Sequence, residues 1–138
     1  MPGRSFVDTN ILVYAVDDAD SAKQETARTL LAETANIVVS AQVLNEFYVA
    51  VTRKLSPRVE SDVARDLVCN LARLPCVAID GQLVQLAIGA GQRWQLSHWD
   101  ALVIEAARQA GCTRVLTEDL SDGAVYDGLS IENPFATG

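Results

Sequence analysis

The sequence predicts an α/β fold, a three-layer α/β/α sandwich around a mostly parallel sheet of about four to five strands. Three observations point there. Strand-like apolar runs alternate with helical patterns along the chain, which implies right-handed crossovers and a sheet covered on both faces. The run Ile37-Val38-Val39 is continuously apolar, as in strands buried on both sides. The chain has 138 residues, 49% of them hydrophobic, which suits one domain over 1–138 with a sizeable core.

The elements follow in order. Residues 5–8 form a first strand, and 9–16 a short helix. Asp17, Asp18 and Asp20 mark a solvated polar turn before a helix over 21–34, whose inward positions are Ala22, Ala27, Leu30 and Leu31. A second strand spans 36–40. Ser40 then caps a helix over 41–54, with Val43, Leu44, Phe47, Ala50 and Val51 at helical spacing. Pro57 interrupts, and another helix covers 58–73. A third strand, 76–79, lies towards an outer edge of the sheet. Asp80 caps the helix that runs from there to Trp94. The helix over 98–110 stops at Gly111, residues 114–117 make a fourth strand, and 129–131 a short fifth. No repeat, low-complexity tract or linker interrupts this pattern.

Composition narrows the classes of function. No run of about 18 apolar residues is present, so no transmembrane helix is expected. The start, Met1-Pro2-Gly3-Arg4-Ser5, has no apolar secretory segment. Cys69, Cys76 and Cys112 are odd in number and lack CxxC spacing, which fits thiols in a reducing cytoplasm. The formal charge of −7 disfavours a passive nucleic-acid binder. A nucleic-acid substrate would need local neutralisation, for which a divalent cation is the obvious agent; a basic protein partner is also compatible with the charge.

In sheets of this class, sites form beyond the carboxyl ends of the strands, where the strand order reverses. Asp8, Glu46, Asp100 and Asp119 meet that test, with strands one and four expected to be neighbours. Each also has a structural reading. Asp8 is a helix cap as readily as a site residue. Glu46, between Val43 and Ala50, falls on or beside the apolar face of its helix, where a carboxylate is costly without a cation; otherwise it reaches solvent or pairs with Arg53 or Lys54. Asp100 suits the first turn of a helix and Asp119 suits a turn. Their conjunction favours a site, because carboxylates held together repel unless a cation joins them. Oxygen-only ligation selects Mg²⁺, or Mn²⁺, over zinc. Thr9, Asn10, Ser40 and Thr117 are supporting candidates that orient carboxylates, waters or phosphate oxygens.

Other polar residues rank lower. Asp80 belongs to capping, and Glu118 stands behind its neighbour Asp119. His98, the single histidine, excludes a histidine metal cluster within one chain. Trp94 and Trp99 suit packing before base stacking, and Arg93 and Arg114 are weak candidates for phosphate contact.

Four segments together resemble the PIN-domain nucleases, and more narrowly the VapC-type toxins of toxin–antitoxin pairs. They are Phe6-Val7-Asp8-Thr9-Asn10-Ile11-Leu12-Val13-Tyr14, Ser40-Ala41-Gln42-Val43-Leu44-Asn45-Glu46-Phe47, Trp99-Asp100-Ala101-Leu102-Val103-Ile104-Glu105-Ala106-Ala107 and Val115-Leu116-Thr117-Glu118-Asp119-Leu120, the last continuing through Asp122-Gly123 to Asn133-Pro134-Phe135. The resemblance spans essentially the whole chain. It implies a Mg²⁺-dependent ribonuclease that inhibits translation, with Asp8, Glu46, Asp100 and Asp119 catalytic and Asp8, Asp100 and Asp119 holding the metal. It also implies an RNA substrate, a small VapB-like antitoxin partner, a cytoplasmic location and a homodimer. Apolar helical positions such as Phe47, Tyr48 and Val51 are further grounds for expecting a dimer.

Two rivals have signatures of their own. Aspartyl-phosphate phosphatases place an acid two residues after the nucleophile, where this chain has Asn10. Phosphoreceiver domains need a late lysine, whereas Lys23 and Lys54 are both early. A binding module without activity would keep the acids for metal-stabilised folding or partner docking.

Overall fold

The computed structural model describes residues 3–136, so the Met1-Pro2 start of the secretory-signal reading lies outside the described residues. In chain order the elements are β1 (Arg4–Val7), α1 (Thr9–Val16), α2 (Ser21–Glu33), β2 (Ile37–Ser40), α3 (Ala41–Arg53) and α4 (Ser61–Leu71). They continue with β3 (Cys76–Val77), α5 (Gly81–Trp94), α6 (His98–Gln109), β4 (Cys112–Leu116), β5 (Val125–Tyr126) and β6 (Leu129–Glu132). The sheet order is β3-β2-β1-β4-β6-β5. Every pairing is parallel except that of β5 with β6.

The connections from β1 to β2 and from β2 to β3 step in one direction, and the return to β4 steps in the other. Right-handed crossovers therefore put α1–α4 on one face and α5–α6 on the opposite face. The helix contacts agree: α1 packs on α2 and α3, α3 on α4, and α5 on α6. Phe6 and Val7 of β1, Val38 and Val39 of β2, and Val115 and Leu116 of β4 are buried. Val43, Phe47 and Val51 of α3 close one layer, and Ala101, Ile104 and Ala107 of α6 close the other.

Several expectations change. The sheet has six strands rather than four to five, because Val125–Tyr126 pairs with Leu129–Glu132. Asp127 (φ 51°) and Gly128 (φ 84°) form the two-residue turn between them. An Asp-Gly pair with both φ positive is a strong hairpin signal, and it stands in the sequence. The third strand ends at Val77 instead of residue 79, because β2, its partner, turns into α3 after Ser40. The second strand starts at Ile37, since Asn36 has φ 57°. The helix predicted over 58–73 spans only Ser61–Leu71; Val59 N–H donates back to Val51 O instead. Ala22 is exposed rather than inward. Phe47 and Val51 are buried in the chain's own core, leaving only Tyr48 of the three residues proposed for a dimer face exposed. Gly111 terminates α6 as expected, with φ 72°. Among the described residues no helix is long and apolar enough to cross a membrane.

Candidate active site

The reversal of strand order falls between β1 and β4, whose ends are in register at Val7 and Leu116. Asp8 N–H donates to Leu116 O at 3.0 Å, so Asp8 and Thr117 leave the sheet side by side. Asp8 is both cap and cleft residue. Its Oδ1 accepts from Thr9 N–H at 2.7 Å, starting α1, and its Oδ2 accepts from the Thr117 hydroxyl at 2.7 Å. Only 5% of Asp8 is exposed. Burial raises its pKa to about 6; the hydrogen bonds from Thr117 and Thr9 oppose this, and the charges of Asp119 and Glu46 add to it.

Asn10, in the first turn of α1, ties that helix to the loop after β4. Its Nδ2 donates to Asp119 Oδ2 at 3.1 Å and to Thr117 Oγ1 at 3.3 Å, while its Oδ1 accepts from Glu118 N–H at 3.3 Å. Asp119 is held by this bond and by its own N–H to Thr117 Oγ1 at 3.1 Å. Its pKa is raised, first by burial and then by the charges of Glu118, Asp100 and Glu46, against the hydrogen bond from Asn10.

Glu46 is exposed, not pressed against the apolar face. The inward stripe of α3 is Val43, Phe47 and Val51, and Gln42 is the polar side chain that α3 buries. Glu46 accepts from Thr9 Oγ1 at 3.0 Å and from Gln42 Nε2 at 3.0 Å, and these two bonds aim it. Asp100 is half-buried in the first turn of α6, its N–H donating to Ser97 Oγ at 3.1 Å.

All four acids thus share one electrostatic neighbourhood: the charges of Asp100 and Glu46 act on Asp119, and those of Asp119 and Glu46 act on Asp8. They do not form a closed cage: among the described residues no three Asp, Glu, His or Cys side chains are grouped closely enough to hold a metal ion. The donor set nevertheless suits a hard divalent cation. It consists of carboxylate oxygens, one of them buried, and their mutual repulsion favours a cation between them. A cavity of about 610 Å³ opens beside two of these acids, lined by Asn10, Glu46 and Asp119, with Lys54 on its wall.

The remaining candidates separate clearly. Ser40 is fully buried and spends its hydroxyl on the N–H of Val43, as the cap of α3. Asp80 caps α5 through Leu83 N–H, beside edge strand β3. Glu118 turns away from Asp119: it accepts from Tyr14 Oη at 2.6 Å and pairs with Lys23 Nζ at 3.0 Å. Trp94 packs edge-to-face on Tyr126, under the guanidinium groups of Arg93 and Arg108. Arg93 pairs with Asp127 and Arg114 with Glu132, which occupies both as phosphate contacts. Cys69, Cys76 and Cys112 are free thiols, and burial pushes that of Cys112 up to about 11. Sequence reasoning missed Gln42, Tyr14 and Lys23 as positioning residues and Lys54 as a cation in the cleft. The spacing of Gln42 one helical turn before Glu46 was the one available signal.

Solved structures of the same shape include toxin–antitoxin proteins. A toxin–antitoxin complex from Klebsiella pneumoniae matches with TM-score 0.71 at 17% identity, over 96% of this chain and 99% of that one. VapC20 of Mycobacterium tuberculosis, a sarcin-ricin-loop-cleaving toxin, matches with TM-score 0.62 at 19% identity, over 80% of this chain and 86% of that one. The DNA-bound VapBC of Salmonella typhimurium matches with TM-score 0.64 at 17% identity, over 96% and 99%. The comparison with curated proteins returned no match. At these identities the likeness establishes the fold. The PIN domain family profile matches residues 5–121, most of the chain and the whole segment from β1 to just past Asp119. The chain belongs to the PIN domain family.

Proposed function

We propose that this protein is a divalent-metal-dependent ribonuclease acting as the toxin of a toxin–antitoxin pair. One observation carries the chemistry: Asp8, buried at the strand reversal, has both oxygens hydrogen-bonded and feels the charges of Asp119 and Glu46, while Asp119 in turn feels that of Asp100. An RNA substrate and inhibition of translation are supported by a neighbour described as cleaving the sarcin-ricin loop. A VapB-like antitoxin is supported by neighbours that are toxin–antitoxin complexes. A homodimer and a cytoplasmic location complete the reading.

Asp8, Asp100 and Asp119 would hold Mg²⁺ or Mn²⁺. When bound, such an ion polarises a phosphoryl oxygen and makes a water easier to deprotonate. The chain's residues supply the rest. Thr9 N–H and the Thr117 hydroxyl fix Asp8 and favour its ionised form by donating to both its oxygens, against the effect of burial. Asn10 keeps Asp119 turned towards the cleft. Glu46, open to solvent and aimed by Thr9 and Gln42, receives the proton of the water that attacks phosphorus in line. Lys54 attracts the RNA backbone to the cleft wall.

The test is incubation of the purified chain, freed of any partner, with a mixed RNA pool. The expected result is cleavage with Mg²⁺, none in EDTA, and a loss of about a hundredfold or more in Asp8→Asn. Absence of metal-dependent cleavage of any RNA would leave a PIN-fold binding module instead.

A further inference from the structure

A second cavity, of about 620 Å³, lies between the first turns of α3 and α6. Its wall includes Gln42, Asn45, Glu46, Ile79, Trp99 and Leu102. Asn45 and Glu46 also line the cleft described above, so the two hollows share one wall. Apart from Glu46 on that wall, the lining is uncharged.

Two features of this cavity have no structural explanation. Trp99 is 64% exposed, with its ring against His98, and it is not among the described residues that pack on the core. Gln42 is only 8% exposed, yet its Oε1 has no hydrogen-bond donor among the described residues. The amide cannot be flipped to repair this. Its Nε2 donates to Glu46 Oε1 at 3.0 Å and to Trp99 O at 3.2 Å, and both partners only accept. A buried acceptor left alone costs free energy, and a ligand that donates to it recovers that cost.

We propose that this cavity binds one unpaired, amino-bearing base of the RNA next to the phosphate that is cut. The inference rests on the ribonuclease reading. The base stacks on Trp99 and donates an N–H to Gln42 Oε1, which it reaches by a side-chain rotation of Trp99 on the cavity wall. The adjoining phosphate then sits in the acidic cleft on the other side of Glu46. Division of charge favours RNA over a protein side chain here: a neutral ring fits a nearly uncharged pocket, whereas a basic residue would meet a single carboxylate. Gln42 Oε1 can only accept, so opposite the ring's 4-position it pairs with the amino group of cytosine and is repelled by the 4-oxo group of uracil on rings of equal size.

Fluorophore-labelled hexacytidylate and hexauridylate test this, with binding measured in Ca²⁺ and cleavage in Mg²⁺. The wild type should bind the cytosine oligomer about threefold or more tighter, as one added hydrogen bond allows. Trp99→Ala should weaken that oligomer about tenfold and raise KM far more than it lowers kcat, while Trp99→Phe keeps most of the affinity. Equal affinity for the two oligomers, or no loss in Trp99→Ala, overturns the pocket while wild-type cleavage leaves the nuclease reading standing. The predicted binding pattern without cleavage of any RNA keeps the pocket and removes the nuclease. A loss in Trp99→Ala confined to an antitoxin, with RNA unaffected, gives the cavity to a protein side chain and overturns the proposal.

Discussion

The hydroxyl of Thr117 donates to Asp8 Oδ2 at 2.7 Å, and its direction is fixed. Thr117 Oγ1 already accepts from Asn10 Nδ2 and from Asp119 N–H, so its single proton points at Asp8. One buried threonine therefore sets the state of one acid and the position of another.

Thr117→Val removes all three bonds and leaves Asp8 buried with one donor fewer. It should cost about 1–3 kcal/mol in urea unfolding. It should also move the rise of cleavage with pH to higher pH, since a hydrogen bond that lowers the Asp8 pKa is gone. Thr117→Ser should restore most of both.

Asp8 makes stability depend on pH in an unusual sense. Its pKa is raised from 3.8 to about 6, so between those values the folded state holds a proton that the unfolded state has lost. Without divalent cations, stability should fall as pH rises from about 4 to about 6, by up to about 3 kcal/mol from this group, then level off. The raised pKa of Asp119 acts in the same direction. Urea titrations of the wild type and Asp8→Asn at several pH values isolate the Asp8 contribution. Asp8→Asn should flatten the curve, although its gain at high pH is reduced because an amide nitrogen facing Thr117 cannot replace the carboxylate acceptor.

Mg²⁺ should reverse that trend. A cation binds the ionised acids of the folded chain and stabilises by mass action, about 2.7 kcal/mol at a hundredfold excess over Kd. Thermal melts should therefore rise by several degrees with Mg²⁺ at pH 7.5 and little at pH 5, where Asp8 is mostly protonated. Asp8→Asn and Asp100→Asn should abolish the shift. A shift that survives in both variants would place the ion elsewhere.

Asp119 and its neighbour Glu118 should separate in activity. Asp119 faces the cleft, while Glu118 is held by Tyr14 and Lys23 against the start of α2. Asp119→Asn should lower cleavage about a hundredfold or more. Glu118→Gln should cost about tenfold, through a loosened loop. Lys23→Met should resemble Glu118→Gln in rate assays.

The order of elements and the shared sheet edge were legible because they rest on patterns that survive in one dimension. Continuous apolar runs mark Val38 and Val39, caps mark Ser40 and Asp80, and a glycine stop marks Gly111. Adjacency of Asp8 and Thr117 follows from the reversal rule once β1 and β4 are placed. What sequence could not show was rotation. Helical spacing put Glu46 near the apolar face, but a small turn of α3 buries Gln42 and frees Glu46. The same rotation buries Phe47 and Val51 and takes them out of any dimer surface. The choice between Glu118 and Asp119 depended on Lys23 and Tyr14, which lie about a hundred residues away in sequence. Short β5 was missed for its length, although Asp127-Gly128 announced it.

The register that joins β1 to β4 has a temporal side. The bond between Asp8 and Thr117 spans 109 residues, and so does the one between Asn10 and Asp119. During synthesis, β2 is made soon after β1, whereas β4, the other partner of β1, is made only when most of the fold has been. A chain interrupted anywhere before β4 carries Asp8 but neither Thr117 nor Asp119, so the cleft cannot be assembled from a fragment. The layout makes the complete cleft a property of the nearly finished chain alone.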